Sequence, residues 1–404
     1  MKNVNDMTFN TKAIHAGSEH DPLTGAHVAP IYRTSTFVMK DMDTAIKAGY
    51  GDVEGIYAYT RYSNPTTDAV ERKIAALEGA DDCAVTASGM CAITTALLSV
   101  LRAGDHIIVG DTVYGGTFEF INNMLPGYGI EKTVVDTTAG NVENIRKAMR
   151  PNTKVVYIET PCNPTLGITD IKKAAEYAHE GNALLFVDST FATPYLQRPL
   201  ALGADIVIHS CTKYMNGHGD LLGGAICGNK KLLSEIKGHT LKFLGGIMSP
   251  FEAASLSKGM KTLGIRMEKH CENAMKIAEF LDKHYMVEKV LYPGLETHPG
   301  HDIAAKQMKK FGAMMSFDVR GGFEAGKLLM DHVNLISLAT SLGNVDSLIQ
   351  HSASMSHATL TPEERAAVGI AEGQVRLSVG IEDADELIED LDQALNYVRK
   401  TLKL

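Results

Sequence analysis

Between Asn64 and Ile208 the chain alternates short apolar runs with amphipathic segments. The runs are Ile107–Val109, Thr133–Val135, Val155–Ile158, Leu184–Val187 and Ile206–Ile208, and helical patterns lie between them at about 88–102, 142–149 and 169–180. Runs without polar positions suit strands covered on both faces, and a helix between two strands supplies the crossover that parallel pairing needs. An α/β fold with a mostly parallel sheet is therefore predicted, with ligands collecting at the carboxyl ends of the strands. A further helix is signalled ahead of the first run. Asn64-Pro65 is a start signal, Ala69, Val70, Ile74, Ala75 and Leu77 form one stripe, and Gly79 stops it.

The flanks read differently. Residues 1–60 are rich in Thr, Gly and Tyr with little periodicity, as expected of an arm lying on another surface. From about Arg266 a long helical pattern leads to runs at Val287–Leu291, Met314–Val319 and Val375–Val379, then to a last helix over Ala384–Leu402. These predict a smaller α+β domain. The expected division is an N-terminal arm at 1–63, an α/β domain at 64–265 and a C-terminal α+β domain at 266–404. A length of 404 residues exceeds what one small core organises.

Composition narrows the partners. With 45% hydrophobic and 22% charged residues the chain is an ordinary soluble globular protein. Its 39 basic and 48 acidic residues leave a net charge of −9, which argues against nucleic acid or an anionic membrane as the main partner. No apolar stretch nears the ~20 residues of a membrane helix. Met1–Asp6 lacks the apolar core of a signal peptide. Cys83, Cys91, Cys162, Cys211, Cys227 and Cys271 show no paired spacing. That suits small buried thiols in a reducing compartment, so the cytoplasm is the expected location.

Candidate chemistry sits where the runs end. Asp188 closes one run, and His209-Ser210-Cys211-Thr212-Lys213 follows another. A carboxylate and a lysine on two strand ends, with hydroxyls beside the lysine, are what pyridoxal 5'-phosphate (PLP) chemistry requires. The lysine forms a Schiff base, and the carboxylate keeps the pyridine nitrogen protonated. Ser210 and Thr212 offer hydrogen bonds to the phosphate. Ala87-Ser88-Gly89-Met90 opens a helix whose first N–H groups suit the same anion. Each feature is common by itself, and only their order and placement together carry weight. Gly217–Gly223 looks like a nucleotide loop but lacks the G-x-G-x-x-G spacing. His209 and His218 have no third ligand at suitable spacing, so no metal is expected.

The stretch Ser210-Cys211-Thr212-Lys213-Tyr214-Met215-Asn216-Gly217-His218-Gly219-Asp220 resembles the PLP-lysine signature of the Cys/Met-metabolism PLP-dependent enzymes. Tyr57–Thr66, Tyr157–Pro164 and Val375–Gly380 match further motifs of that family, and the resemblance covers nearly the whole chain. It implies a PLP-transferase-like large domain of the aspartate aminotransferase type. By position, it makes Lys213 the Schiff-base lysine and proton carrier, with Asp188 on the pyridinium nitrogen and Gly89, Met90, Ser210 and Thr212 on the phosphate. Tyr59 and Arg61 resemble residues that reach the phosphate from a neighbouring subunit, which implies a homodimer and points to a homotetramer. Tyr114 resembles the tyrosine stacked on the cofactor ring, which also acts as acid and base. Arg376 resembles the arginine that grips the substrate carboxylate, supported by Ser341 and Asn163. By themselves Tyr114 would read as a half-buried strand-end tyrosine and Arg376 as a surface-strand arginine.

The implied reaction is cleavage of a sulfur amino acid. The substrate amine displaces Lys213, the freed lysine removes the α-proton, and a thiol leaves the γ-carbon with a proton from Tyr114; hydrolysis then gives 2-oxobutanoate and ammonia. The run from Ser341 to His357 is more similar to the family's methionine γ-lyases than to its cystathionine γ-lyases, and Thr340 stands next to Ser341 where the latter typically carry a glutamate. Gly116, where methionine γ-lyases typically have a cysteine, and Leu241–Gly245, without their Lys-Asp pair, depart from that branch. A pocket with neither charge nor cysteine is expected to favour the apolar γ-substituent of methionine or homocysteine. The alternatives are cystathionine or homocysteine cleavage, an O-acyl-homoserine sulfhydrylase, and a PLP-binding protein without catalysis.

Overall fold

The computed structural model describes residues 3–49, 55–355, 358, 361–367 and 369–404. Seven strands form the large sheet: β1 (Asp82–Thr86), β2 (His106–Gly110), β3 (Glu131–Val135), β4 (Thr153–Glu159), β5 (Leu184–Asp188), β6 (Ile206–Ser210) and β7 (Gly224–Gly228). Their order is β1-β7-β6-β5-β4-β2-β3. The pairs from β6 through β3 are parallel, while β7 runs antiparallel to both its neighbours. The five runs read from the sequence are the five central and edge parallel strands. β1 and β7 were not anticipated.

Both faces of this sheet are covered, and the side-chain period of two sorts the residues. Ile107, Val109, Val155, Tyr157, Phe186 and Ile208 bury against Ile93, Ala96 and Leu97 of the Gly89–Val100 helix. Ile108, Val156, Ile158, Leu185, Val187 and Val207 bury on the other side with Val70, Ile74, Ile171 and Ala174. The Pro65–Glu78 helix starts as its sequence signals: the Asn64 side chain accepts from the Thr66 N–H at 2.9 Å, and Pro65 occupies the first turn.

The second sheet holds β8 (Val287–Leu291), β9 (Met314–Val319), β10 (Ser337–Leu338), β11 (Leu348–His351) and β12 (Gln374–Ser378), in the order β10-β11-β12-β9-β8. The Leu263–Lys283 helix packs beneath it through Met267, Ala274, Ile277 and Leu281, together with Leu387, Leu391 and Val398 of the Ala384–Leu402 helix. Arg266 of the long helix is buried and donates to the Tyr214 carbonyl at 2.7 Å, the Gly259 carbonyl at 2.9 Å and the Met215 carbonyl at 3.3 Å. It thereby pins the segment after Lys213 to the small sheet's supporting helix.

The first 60 residues are less irregular than their composition suggests, with helices at Phe9–His15 and Met42–Gly49. The first of these lies on its own chain: fully buried Lys73 donates to the Ala13 carbonyl at 2.7 Å, and the Phe9 and Tyr195 rings stand 4.9 Å apart. Beyond it the arm leaves Leu23 88% and Val38 99% exposed. All six cysteines are free; five are buried and Cys91 is half-buried. No helix among the described residues is long and apolar enough to cross a membrane.

Candidate active site

The carboxyl ends of β4, β5 and β6 meet the small sheet along one cleft. Asp188, last residue of β5, is buried and fully engaged. Its Oδ1 accepts from the Thr190 N–H at 3.0 Å and the Thr190 hydroxyl at 2.6 Å, and Tyr157 donates its hydroxyl to Oδ2 at 3.4 Å. Burial pushes its pKa up, and the two Thr190 hydrogen bonds oppose that push. A cationic partner in front of it would hold it ionised.

Lys213 lies one turn past β6 and donates Nζ to the Ser341 hydroxyl at 2.7 Å. Burial, then the charge of Arg376, lowers its pKa to about 8. A substantial share of the amine is therefore neutral near pH 8, as condensation with an aldehyde requires. Ser341 serves two partners. Its carbonyl accepts from Arg376 Nη2 at 2.8 Å, and Arg376 Nη1 donates to Asn163 Oδ1 at 2.7 Å. It holds this posture at φ +81°, a left-handed conformation that costs a non-glycine residue about 1–3 kcal/mol and clusters at functional sites. Arg376 is buried, with its pKa pulled to about 10 by burial.

A third wall is the start of the Gly89–Val100 helix. Ser88 caps it by accepting from the Cys91 N–H at 3.1 Å, so the Gly89 and Met90 N–H groups form the open first turn. Glycine is required there: a Cβ on residue 89 would stand 2.8 Å from Ser210 Cβ and 2.9 Å from its Oγ. Thr212 Oγ1 accepts from the Gly223 N–H at 3.1 Å. A helix N-terminus, two hydroxyls and a backbone approach closed to any side chain make an anion cradle of phosphate chemistry. With a depressed lysine and a buried carboxylate beside it, the donor set fits PLP.

Tyr114 is 48% exposed, and its N–H donates to Glu159 Oε2 at 2.6 Å. Gly116 lies against its ring, since a Cβ there would come 2.6 Å from Tyr114 Cε1 and 2.9 Å from Met90 Sδ. Met90 and Gly116 also line a cavity of ≈ 540 Å³ whose walls include Leu98, Phe120, Met124 and Leu244. Lys213, Ser341, Arg376, Asn163 and Tyr114 are not among the residues that line it. Glu119, bonded to Asn123 Nδ2 at 2.5 Å, and Cys91 stand in the same wall.

The structure thus brings Lys213, Ser341, Arg376 and Asn163 into one hydrogen-bonded chain, with Asp188, Ser210, Thr212, Gly89 and Met90 on the same strand ends and helix start. Tyr59 and Arg61 lie elsewhere on the chain. Arg61 donates to the Lys242 carbonyl at 2.6 Å, with its guanidinium 5.6 Å from the centre of the 41%-exposed Tyr59 ring. Ser356 and His357, the end of the run compared with methionine γ-lyases, lie outside the described residues. Among the described residues no group of three His, Cys, Asp or Glu is placed to hold a metal ion. One residue that sequence reading passed over is Glu159, which follows an apolar run as Asp188 does and lies beside Tyr114 and Asn163.

The chain belongs to the Cys/Met metabolism PLP-dependent enzymes, a family that matches it over residues 10–396. It is 52% identical over 394 residues to an L-methionine γ-lyase of Fusobacterium nucleatum subsp. polymorphum, covering 96% of this chain and 98% of that one. A cystathionine γ-lyase of Bacillus subtilis is 44% identical over 97% of this chain and its own full length. The crystal structure of a cystathionine γ-lyase from Lactobacillus plantarum with L-serine superposes with a TM-score of 0.90 at 41% identity, over 97% of this chain and 100% of that one. The cofactor is accordingly PLP, and the fold is that of the fold type I PLP enzymes.

Proposed function

We propose that this chain is a carbon–sulfur lyase that eliminates the γ-methylthio group of L-methionine as methanethiol, with water converting the remainder to 2-oxobutanoate and ammonia. The observation that carries the reading is the single serine shared by an amine and a guanidinium. Lys213 bonds the Ser341 hydroxyl while Arg376 bonds its carbonyl, so groups for the α-amine and α-carboxylate of one amino acid lie a residue apart.

The residues divide the work as follows. Bound PLP supplies an aldehyde for the amine and a ring that withdraws electrons from the α-carbon. Ser210, Thr212 and the Gly89 and Met90 N–H groups hold its phosphate, and Asp188 holds a proton on its ring nitrogen. Arg376 takes the substrate carboxylate in a two-pronged contact, oriented by Asn163 Oδ1 and the Ser341 carbonyl. Lys213, its pKa lowered to about 8 by burial, takes the α-proton on Nζ in its neutral form. Tyr114 places its hydroxyl for the leaving sulfur and gives it a proton. Tyr59 and Arg61 act in the site of a second copy of the chain, which makes the working unit a homodimer, paired into a homotetramer.

Methionine is preferred because several methionine γ-lyases stand among the relatives. Cystathionine is the second reading, favoured by the cystathionine lyases among the relatives. The domain division follows the two sheets, with the boundary at 265/266 inside the Leu263–Lys283 helix. Six free thiols suit the cytoplasm. The deciding experiment is turnover of L-methionine, L-homocysteine and L-cystathionine by purified PLP-loaded protein, beside O-acetylhomoserine with sulfide. Thiol and 2-oxobutanoate from methionine alone are expected; their absence, with product from O-acetylhomoserine and sulfide, replaces the lyase with a transferase.

A further inference from the structure

Two carboxylates end adjacent parallel strands. Glu159 closes β4, Asp188 closes β5, and the two are register partners, so both side chains leave the same face of the sheet at its carboxyl edge. Asp188 has its work within the cofactor site. Glu159 is 6% exposed and has both oxygens occupied by backbone N–H groups: Oε2 by Tyr114 at 2.6 Å and Oε1 by Asn163 at 3.1 Å.

Those two amides belong to different loops, one after β2 and one after β4. Tyr114 opens the Gly115–Glu119 helix beside the apolar cavity, whereas Asn163 carries the oxygen that orients Arg376. A carboxylate buried beside a second carboxylate is an expensive way to fill space, because desolvation and like charge both oppose it. Indeed burial and the neighbouring Asp188 drive its pKa well up, against the pull of the two N–H donors and of Arg376. A carboxylate meets the two donors with one oxygen each.

We propose that Glu159 is a positioning residue that ties the carboxylate-binding arm, Asn163 with Arg376, to the backbone of Tyr114. Occupation of Arg376 by a substrate carboxylate then fixes the tyrosine for the departing sulfur. The inference rests on the roles assigned above to Arg376 and Tyr114. Glu159 touches neither substrate nor cofactor in this scheme and works through two peptide groups. Glutamine is the informative replacement, since its shape is the same while its NH₂ group must face one of the two N–H donors.

The test is amide hydrogen–deuterium exchange on the full-length PLP-loaded enzyme, with and without saturating L-norleucine. That amino acid carries the α-amine and α-carboxylate of methionine and has no thiol to lose. In the wild type, norleucine slows exchange at both Asn163 and Tyr114. In Glu159→Gln the slowing at Tyr114 is lost, and kcat for methionine falls roughly 100-fold, by more than KM rises. A Tyr114 amide still protected by norleucine in Glu159→Gln overturns the proposal whatever the rate. If that variant does not fold, Glu159→Asp, which keeps the charge but is too short for both amides, decides by the same Tyr114 readout. The underlying reading fails in a separate way: norleucine binding that is unchanged in Arg376→Lys removes the carboxylate site, and the coupling with it.

Discussion

Arg376 holds two neighbours with two nitrogens, and a lysine in its place has one. Arg376→Lys loses the bond to Asn163 Oδ1 or to the Ser341 carbonyl along with the two-pronged hold on substrate. Hydrogen bonds to charged groups contribute about 1.5–3 kcal/mol, so KM for methionine should rise by about 10- to 100-fold, measured by steady-state kinetics. Tyr114→Phe should instead leave norleucine affinity near the wild-type value and lower kcat by roughly 10²–10⁴, the usual weight of a positioned proton donor. Lys213 sets a pH dependence of known sign. Its conjugate acid, with pKa lowered to about 8, is the form that cannot attack an aldehyde. Uptake of PLP by the cofactor-free chain should therefore accelerate as pH rises through about 8 and level off above it, followed by visible absorbance. Most of these residues were legible because they close an apolar run or sit in a long motif. Glu159 was not, because a carboxylate after a run looks like any loop carboxylate until strand register sets it beside Asp188.

At the scale of elements, the strands that could be read are those that are apolar throughout. β7 is bounded by glycines, Gly224-Ala225-Ile226-Cys227-Gly228, and β1 begins with Asp82 directly after a turn, so neither shows a run long enough to stand out. Their pairing is fixed by contact with each other, Cys83 opposite Cys227 and Val85 opposite Ala225, which no local pattern announces. The cradle at the Gly89–Val100 helix was legible from Ser88 and Gly89, though the reason for the glycine is spatial. Gly89→Ala drives a methyl group into Ser210 at 2.8 Å. Overpacking of that kind costs about 1–3 kcal/mol, so the PLP dissociation constant should rise by about 10- to 100-fold. Equilibrium dialysis measures it, and the thermal midpoint of the cofactor-free protein should fall as well, because the clash lies within the chain itself.

For the whole molecule, the placement of Arg61 against Lys242, with Tyr59 beside it, rather than in the Lys213 cluster makes subunit exchange informative. Arg61→Ala and Lys213→Ala each damage a different half of a site shared between copies. Mixing the two variants under exchange conditions should restore methionine turnover above the sum of the separate activities, because some mixed dimers contain one intact site. Additive activities would return both residues to a single chain. Arg266 has a mechanical consequence. It clamps the carbonyls after Lys213 to a helix that is itself embedded in the small sheet's core, while the tip of Lys213 hangs on Ser341. The lysine's backbone is thus tied to the small sheet's helix and its amine to the loop before β11, so a change at Arg266 should be felt at the amine.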